Sequence, residues 1–573
     1  MRLTRATAIL LICAATFLAY ANSLSNGFVW DDDALIKENS FVRNSTYLAA
    51  TFTADLAHNA HGSSAYYRPL QTVTYMMDYY FWGLNPVGYH LTNVLLHLLC
   101  ALLVWATIRR FTTDPIVPVV VAAIFAVNPL NTSAVCYIAG RADSLSLAGM
   151  LGAFLFHHHY RSAPGRSLWY FAAALLCYTG ALFSRESAML FPALLLFVTA
   201  CQPPAAMRPA HAIRRAFLIA LPFAILLAVF LCWRFAVLQQ LDKPLFAPWN
   251  IPAWLRVQIF FRGLATYFGL LLWPVHLQMD RQVAHSSHLL TLAGVLCVTA
   301  FVTALWWSAR RNRAVLIGLG WFIIALLPMT GTLNLVATVA EHWLYVPMIG
   351  FYFALATIIP WRKLTVAAAL LVVVAMTGRT ALRNQDWANG AVLFARQTES
   401  AKGSERAFTN LGHTLFTAGD VEAGLKALRH AEKLNPRSTT AKFNLAVVYL
   451  QRGEFDLARE KLAECATLDP TDQTLWELVA QIHESQGHVQ QAIRYYRTAI
   501  ACTHDIGLRL RYARFLLRRG HTREALALTE ECQYLEPGHA GVFRLLGEIL
   551  AGAGDPAKAA EAWQFAAELD RHS

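Results

Sequence analysis

Long apolar stretches separated by short polar breaks fill the chain up to about Thr380, after which apolar residues recur at helical spacing in a charged background. At 1.5 Å of rise per residue, an apolar stretch of roughly 17–25 residues spans the hydrocarbon core of a bilayer. The pattern predicts spans at 6–22, 88–108, 116–132, 144–160, 168–184, 188–201, 214–234, 289–308, 314–330, 343–360 and 363–379. One more stretch, 258–275, carries Arg262 near its start and Trp273-Pro274 at its end. Read as re-entrant or interfacial, it leaves eleven crossings and keeps Arg109-Arg110, Arg214-Arg215, Arg310-Arg311-Asn312-Arg313 and Arg362-Lys363 on the cytoplasmic side. Read as a crossing, it puts the cluster at Arg310 outside. Ala19-Tyr20-Ala21 fits a signal-cleavage pattern, but the many spans that follow favour a retained first helix.

A long outer segment, 23–87, separates the first two spans. A connection of that length without a function is rare. Its second half, Leu70 to Trp82, is rich in aromatic residues and suits a helix lying among lipid headgroups.

From Glu405 onward the pattern repeats. Gly419, Gly453, Gly487, Gly520 and Gly554 recur at intervals of 34, 34, 33 and 34 residues. Five residues after each comes a small residue: Gly424, Ala458, Ala492, Ala525 and Ala559. Pro436, Pro470 and Pro537 close three of the units, and Leu411-Gly412, Leu445-Ala446 and Leu546-Gly547 fill first-helix packing positions. This is the tetratricopeptide period, in which small residues let two helices approach. The expected architecture is all-α: a polytopic membrane domain over 1–380, a linker or partial helix over 381–404, and a solenoid of five tetratricopeptide repeats over 405–573.

Composition agrees. Of the 573 residues 56% are hydrophobic and only 15% charged, against about a quarter charged in soluble domains. The net charge of +12 does not indicate nucleic acid, because many of the basic residues cap apolar segments. The ten cysteines form no CxxC or paired spacing, so neither a metal site nor a disulfide framework is indicated. His157-His158-His159, beside Arg161 at a cytoplasmic helix end, reads as snorkelling side chains. Asn44-Ser45-Thr46 is a sequon on the outer side.

Under the eleven-crossing topology the chemistry-bearing residues gather on the outer face: Asp31, Asp32 and Asp33, then Tyr67-Arg68, Arg141 with Asp143, Arg185-Glu186, and Glu341-His342. A charge at the bilayer centre costs roughly 2.5–3.5 kcal/mol on the insertion scale, so charges close to spans are paired or functional. Arg141 with Asp143, and Arg185 with Glu186, each read alone as a structural ion pair or cap. His90, Asn93 and His97 share one helical face, suited to interhelical hydrogen bonds or to a polar cavity.

In order, Asn26-Gly27-Phe28-Val29-Trp30-Asp31-Asp32, Tyr67-Arg68-Pro69-Leu70, His90-Leu91-Thr92-Asn93, Gly140-Arg141-Ala142-Asp143, Ser184-Arg185-Glu186 and Glu341-His342-Trp343-Leu344-Tyr345-Val346-Pro347 follow the motif order of one family. The chain resembles, over almost its whole length, the transmembrane O-mannosyltransferases that carry tetratricopeptide repeats. Those enzymes and their bacterial relatives lie within the GT-C glycosyltransferase superfamily. Where that family commonly has His-Pro-x-His-x-Glu, this chain has Asn128-Pro129-Leu130-Asn131-Thr132-Ser133. His342 replaces a usual arginine, and Arg185 a usual lysine.

The resemblance implies an inverting transfer of a mannose-like sugar from a polyprenyl-phosphate carrier to a hydroxyl of a protein or peptide acceptor. It implies Asp31 as the base, with Asp32 orienting the acceptor or, with Asp31, binding a divalent metal. Arg68 and Arg141 are then expected on the donor phosphate, with Glu341 holding one of them. Asp33, Tyr67, His90, Asn93, Asp143, Arg185, Glu186 and His342 support the site. A multi-pass protein of the bacterial inner membrane or the endoplasmic reticulum is implied, with extracytoplasmic repeats recruiting the acceptor. The second expectation is a non-catalytic membrane-anchored repeat scaffold for envelope assembly, which the segment Asn128 to Ser133 favours. A transporter comes third, since no inverted symmetry is visible.

Overall fold

With no water in a bilayer core to bond their backbone, the apolar stretches close their hydrogen bonds within themselves, and the computed structural model is accordingly almost wholly helical among the described residues. It describes residues 4–53, 56, 66–162, 167–204, 207–239, 252–283, 286–329, 339–502, 505–535 and 539–572. Two compact units result, Met1–Ala401 and Lys402–Ser573.

In the first unit, six helices of the described residues are long and apolar enough to cross a membrane: Arg5–Ser25, Pro86–Ile108, Pro209–Leu238, Trp254–Leu272, His288–Arg311 and Lys363–Trp387. Leu168–Leu182, Glu186–Cys201, Arg313–Leu326 and Pro347–Ile358 are apolar but shorter. The stretch read as 116–132 is broken. Its helix ends at Val127, and the following piece is bent away by 49°. Pro129 disfavours a helical conformation at Asn128, whose backbone is extended and whose side chain caps Leu130 N–H at 3.1 Å.

The stretch 258–275, read as re-entrant or interfacial, lies largely in the continuous helix Ala253–Leu272. Its Arg262 is buried, donating to Thr291 Oγ1 at 2.9 Å and Gln258 Oε1 at 2.7 Å. The helix is long and apolar enough to cross a membrane, and the inward pairing of Arg262 keeps its charge off the apolar surface. The helix Pro69–Trp82 forms as expected, and Met77, Tyr80, Phe81 and Trp82 form its exposed aromatic end. A two-residue antiparallel ribbon pairs Asp280 with Ala340 and Arg281 with Val339. The segment after the last long helix continues through a turn at Gln385–Trp387 into the helix Gly390–Ser400.

The second unit is ten helices in five pairs, from Glu405–Thr417 with Val421–Leu434 to Ala540–Gly552 with Pro556–His572. Gly419, Gly453, Gly487, Gly520 and Gly554 all have φ between 75° and 92°, a left-handed turn that only glycine adopts without strain. Gly412 and Gly424 bring the first pair together, and Ala458, Ala492, Ala525 and Ala559 are fully enclosed at the same position of the later pairs. Pro436 and Pro470 follow the helices that end at Leu434 and Leu468, while Pro537 lies outside the described residues.

Candidate active site

The acidic loop begins with a backbone anomaly. Trp30 has φ 56°, a left-handed conformation costly for a bulky residue, immediately before Asp31. The three carboxylates then go different ways. Asp31 is exposed and accepts a hydrogen bond from the Tyr137 hydroxyl at 2.7 Å. Asp32 is fully buried, one oxygen accepting from Val29 N–H at 3.0 Å and the other from Ala139 N–H at 2.8 Å. Asp33 pairs with Lys37 at 2.7 Å in the next turn. Burial pushes the Asp32 carboxyl up to about 8, against the pull of the two N–H groups and with a further push from Asp31.

Asp32 thus pins the loop to the residues just ahead of Arg141. From the other side, Gln71 Nε2 donates to Ala139 O at 2.8 Å and to the Tyr75 hydroxyl at 2.6 Å. Tyr75 in turn lies 4.7 Å beneath the Arg141 guanidinium. Leu35, Ile36, Val42, Tyr75, Tyr89 and Ile138 pack around this network in one apolar cluster. His90 Nε2 faces Gly27 O at 3.4 Å, and Asn93 donates to Val135 O and Tyr137 O, each at 3.1 Å. Both therefore hold loops of the site. His97, one turn deeper, meets Tyr345 Oη and Ala126 O.

Neighbours in sequence are not partners in space. Arg141 pairs with Asp78 at 2.6 Å rather than with Asp143, and Asp143 pairs with Arg185 at 2.7 Å. Glu186 pairs with Arg68 at 2.7 Å, with Arg234 at 3.9 Å from its other oxygen. Arg141 is wholly enclosed, its remaining donors on Asn93 Oδ1 and Tyr89 O. Around Arg68 three guanidiniums, Arg68, Arg185 and Arg234, face two carboxylates, Asp143 and Glu186. Guanidinium groups gathered in a partly buried site suit a phosphate. Tyr67 supports this side, its hydroxyl donating to Phe52 O at 2.7 Å and accepting from Trp233 Nε1 at 2.8 Å. Burial, with Arg185 and Arg68 nearby, pushes the His342 imidazole well below its usual range and keeps it neutral.

Glu341 holds neither Arg68 nor Arg141. It is buried against Arg281 at 3.8 Å and Arg383 at 3.7 Å, with Gln278 N–H also donating to it. The ribbon that pairs Arg281 with Val339 brings this cation to it. Asp78, Arg234, Arg281, Arg383 and Tyr137 went unread in the sequence. Asp78 had a signal, being the lone carboxylate in an aromatic amphipathic stretch; the others become neighbours only through the tertiary fold.

Among the described residues no three His, Cys, Asp or Glu side chains converge in a way that would hold a metal. Both Asp32 oxygens accept backbone N–H bonds, so the donor set does not fit a chelating protein site.

Comparison with known proteins bears on both units. A family model described as tetratricopeptide repeat matches residues 409–473. Human protein O-mannosyl-transferase TMTC3 is 27% identical across 99% of this chain and 64% of its own length. Drosophila melanogaster Tmtc3 is 25% identical across 87% of this chain and 64% of its own. The chain is a homologue of the TMTC protein O-mannosyl-transferases. It spans 64% of the length of these TMTC relatives. A crystal structure of MamA aligns with 28% of the chain at 20% identity and a TM-score of 0.26. This chain combines the apolar helices of a multi-pass membrane protein with tetratricopeptide repeats.

Proposed function

We propose that this chain is an inverting glycosyltransferase that moves a mannose-like sugar from a polyprenyl-phosphate carrier to a hydroxyl of a protein acceptor at the extracytoplasmic face. The observation that carries this reading is the coexistence, in one unit, of an exposed carboxylate on an anchored loop and a partly buried cluster of the guanidiniums of Arg68, Arg185 and Arg234. The relatives' names supply the sugar and the protein acceptor.

In this mechanism the Asp31 carboxylate takes the proton of the acceptor hydroxyl as its oxygen attacks the anomeric carbon. General-base help of this kind contributes about 10²–10⁴ in rate. The bond from that carbon to the phosphate oxygen breaks on the opposite side, and the sugar inverts. Arg68, with Arg185 and Arg234 beside it, stabilises the charge that collects on the departing phosphate. Arg141 acts from behind, holding the Ala139 segment on which Asp32 and hence Asp31 depend. The lipid tail stays among the apolar helices, and the repeats recruit the acceptor.

The test is turnover in lipid vesicles. Purified protein given polyprenyl-phosphate mannose and a candidate acceptor peptide should yield mannosylated peptide and free polyprenyl phosphate in equal amounts. Peptide binding through the repeats without release of the lipid phosphate would instead support the scaffold reading.

A further inference from the structure

The Tyr137 hydroxyl that donates to Asp31 belongs to a ring stacked with two indoles. Trp30 stacks with it at 5.5 Å with 22° between planes, and Trp387 stacks with it at 5.8 Å, also at 22°. Trp387 is completely enclosed, and Phe394 closes on Trp30 edge-on at 6.3 Å. The stack joins three distant parts of the chain: the acidic loop, the turn before Arg141, and the segment following the last long helix. Hydrogen bonds tie the same parts together, from Gly27 N–H to Ala388 O at 2.9 Å and from Asn26 Nδ2 to Asn384 O at 3.0 Å. The strained φ of Trp30 is what turns its ring onto Tyr137 while leaving Asp31 at the hydroxyl.

A ring stacked with two indoles has few rotamers, so the position of its hydroxyl is set by the fold rather than by Asp31. We infer that Tyr137 is the positioning residue of the transfer reaction, fixing the Asp31 carboxylate toward the acceptor, and that Trp30 and Trp387 act by clamping Tyr137. This rests on the reading of Asp31 as the base. Removing the donated hydrogen bond loosens the carboxylate and raises its affinity for a proton, because the bond favours the ionised form. The other titratable groups acting on Tyr137 are Asp32 on the same loop and Tyr75 on the helix Pro69–Trp82.

Tyr137→Phe preserves the stack and removes only the donor. In the vesicle assay it should lower kcat about ten-fold at neutral pH with KM for donor and peptide unchanged. It should also move the acid limb of the pH–kcat profile upward by roughly one unit. Trp387→Leu, which loosens the clamp, should lower kcat in the same way, and Trp387→Phe should restore most of it. A kcat and pH profile identical to wild type in Tyr137→Phe overturns the inference. Asp31→Asn, run alongside, separates the two claims. If it is inactive while Tyr137→Phe is normal, the base stands and the positioning role falls; if it turns over normally, the base itself falls.

Discussion

Arg141 and Asp78 meet at 2.6 Å with neither side chain open to solvent, the guanidinium completely enclosed. The pair joins the helix Pro69–Trp82 to the start of the helix Arg141–Ser162, directly after the turn that anchors Asp32. Breaking one member of such a pair leaves the other charge buried and uncompensated, at a cost of about 3–5 kcal/mol. Asp78→Ala should therefore depress the thermal midpoint of the detergent-solubilised protein by many degrees. A midpoint within a degree of wild type would show that the pair is not structural.

Arg68 is in a different position. Its pair with Glu186 is mostly buried but less enclosed than Arg141 with Asp78, and Glu186 also has Arg234 at 3.9 Å, so losing Arg68 leaves that carboxylate with a second cation. Arg68→Gln should lower thermal stability less than Asp78→Ala does while reducing transfer by about 10–100-fold, chiefly through the leaving phosphate. Arg68→Lys should recover only part, because an ammonium lacks the bidentate fork. Donor titrations of the three proteins, with unfolding curves beside them, check this.

Asp32 gives a pH dependence with a definite sign. Burial raises its carboxyl from 3.8 to about 8, so between those values the folded state holds a proton that the unfolded state has released. Stability from this group therefore falls as pH rises through that window and levels off above about 8. Thermal midpoints measured from pH 5 to 9 should decline more steeply in wild type than in Asp32→Asn, which cannot titrate. Parallel slopes in the two proteins would contradict the assignment.

The repeats and the apolar helices were legible because periodicity is a local property. A glycine every 34 residues and an uncharged stretch of twenty each act within their own element. The break at Val127 was missed although Pro129 marked it, since hydropathy alone runs straight through. The helix Ala253–Leu272 reads as re-entrant because a crossing there puts the basic cluster at Arg310 outside, yet it forms as one continuous apolar helix whose Arg262 finds Thr291 only when two helices pack. Within the site, composition marked the residues but not their pairing. Arg141 with Asp143 and Arg185 with Glu186 look like partners in sequence, yet each reaches across to another element, because helix direction rather than sequence distance decides which charges meet. Tyr137 had no signature at all; a tyrosine between Cys136 and Ile138 gains its meaning from Trp30 and Trp387.

The account rests on Asp31 as the group that takes the acceptor's proton. The most direct test is single-turnover transfer by Asp31→Asn in vesicles loaded with polyprenyl-phosphate mannose, compared with wild type at equal folded protein and saturating peptide. The account predicts loss of at least about 10²-fold in rate, with donor and peptide still bound. Transfer at the wild-type rate would contradict it.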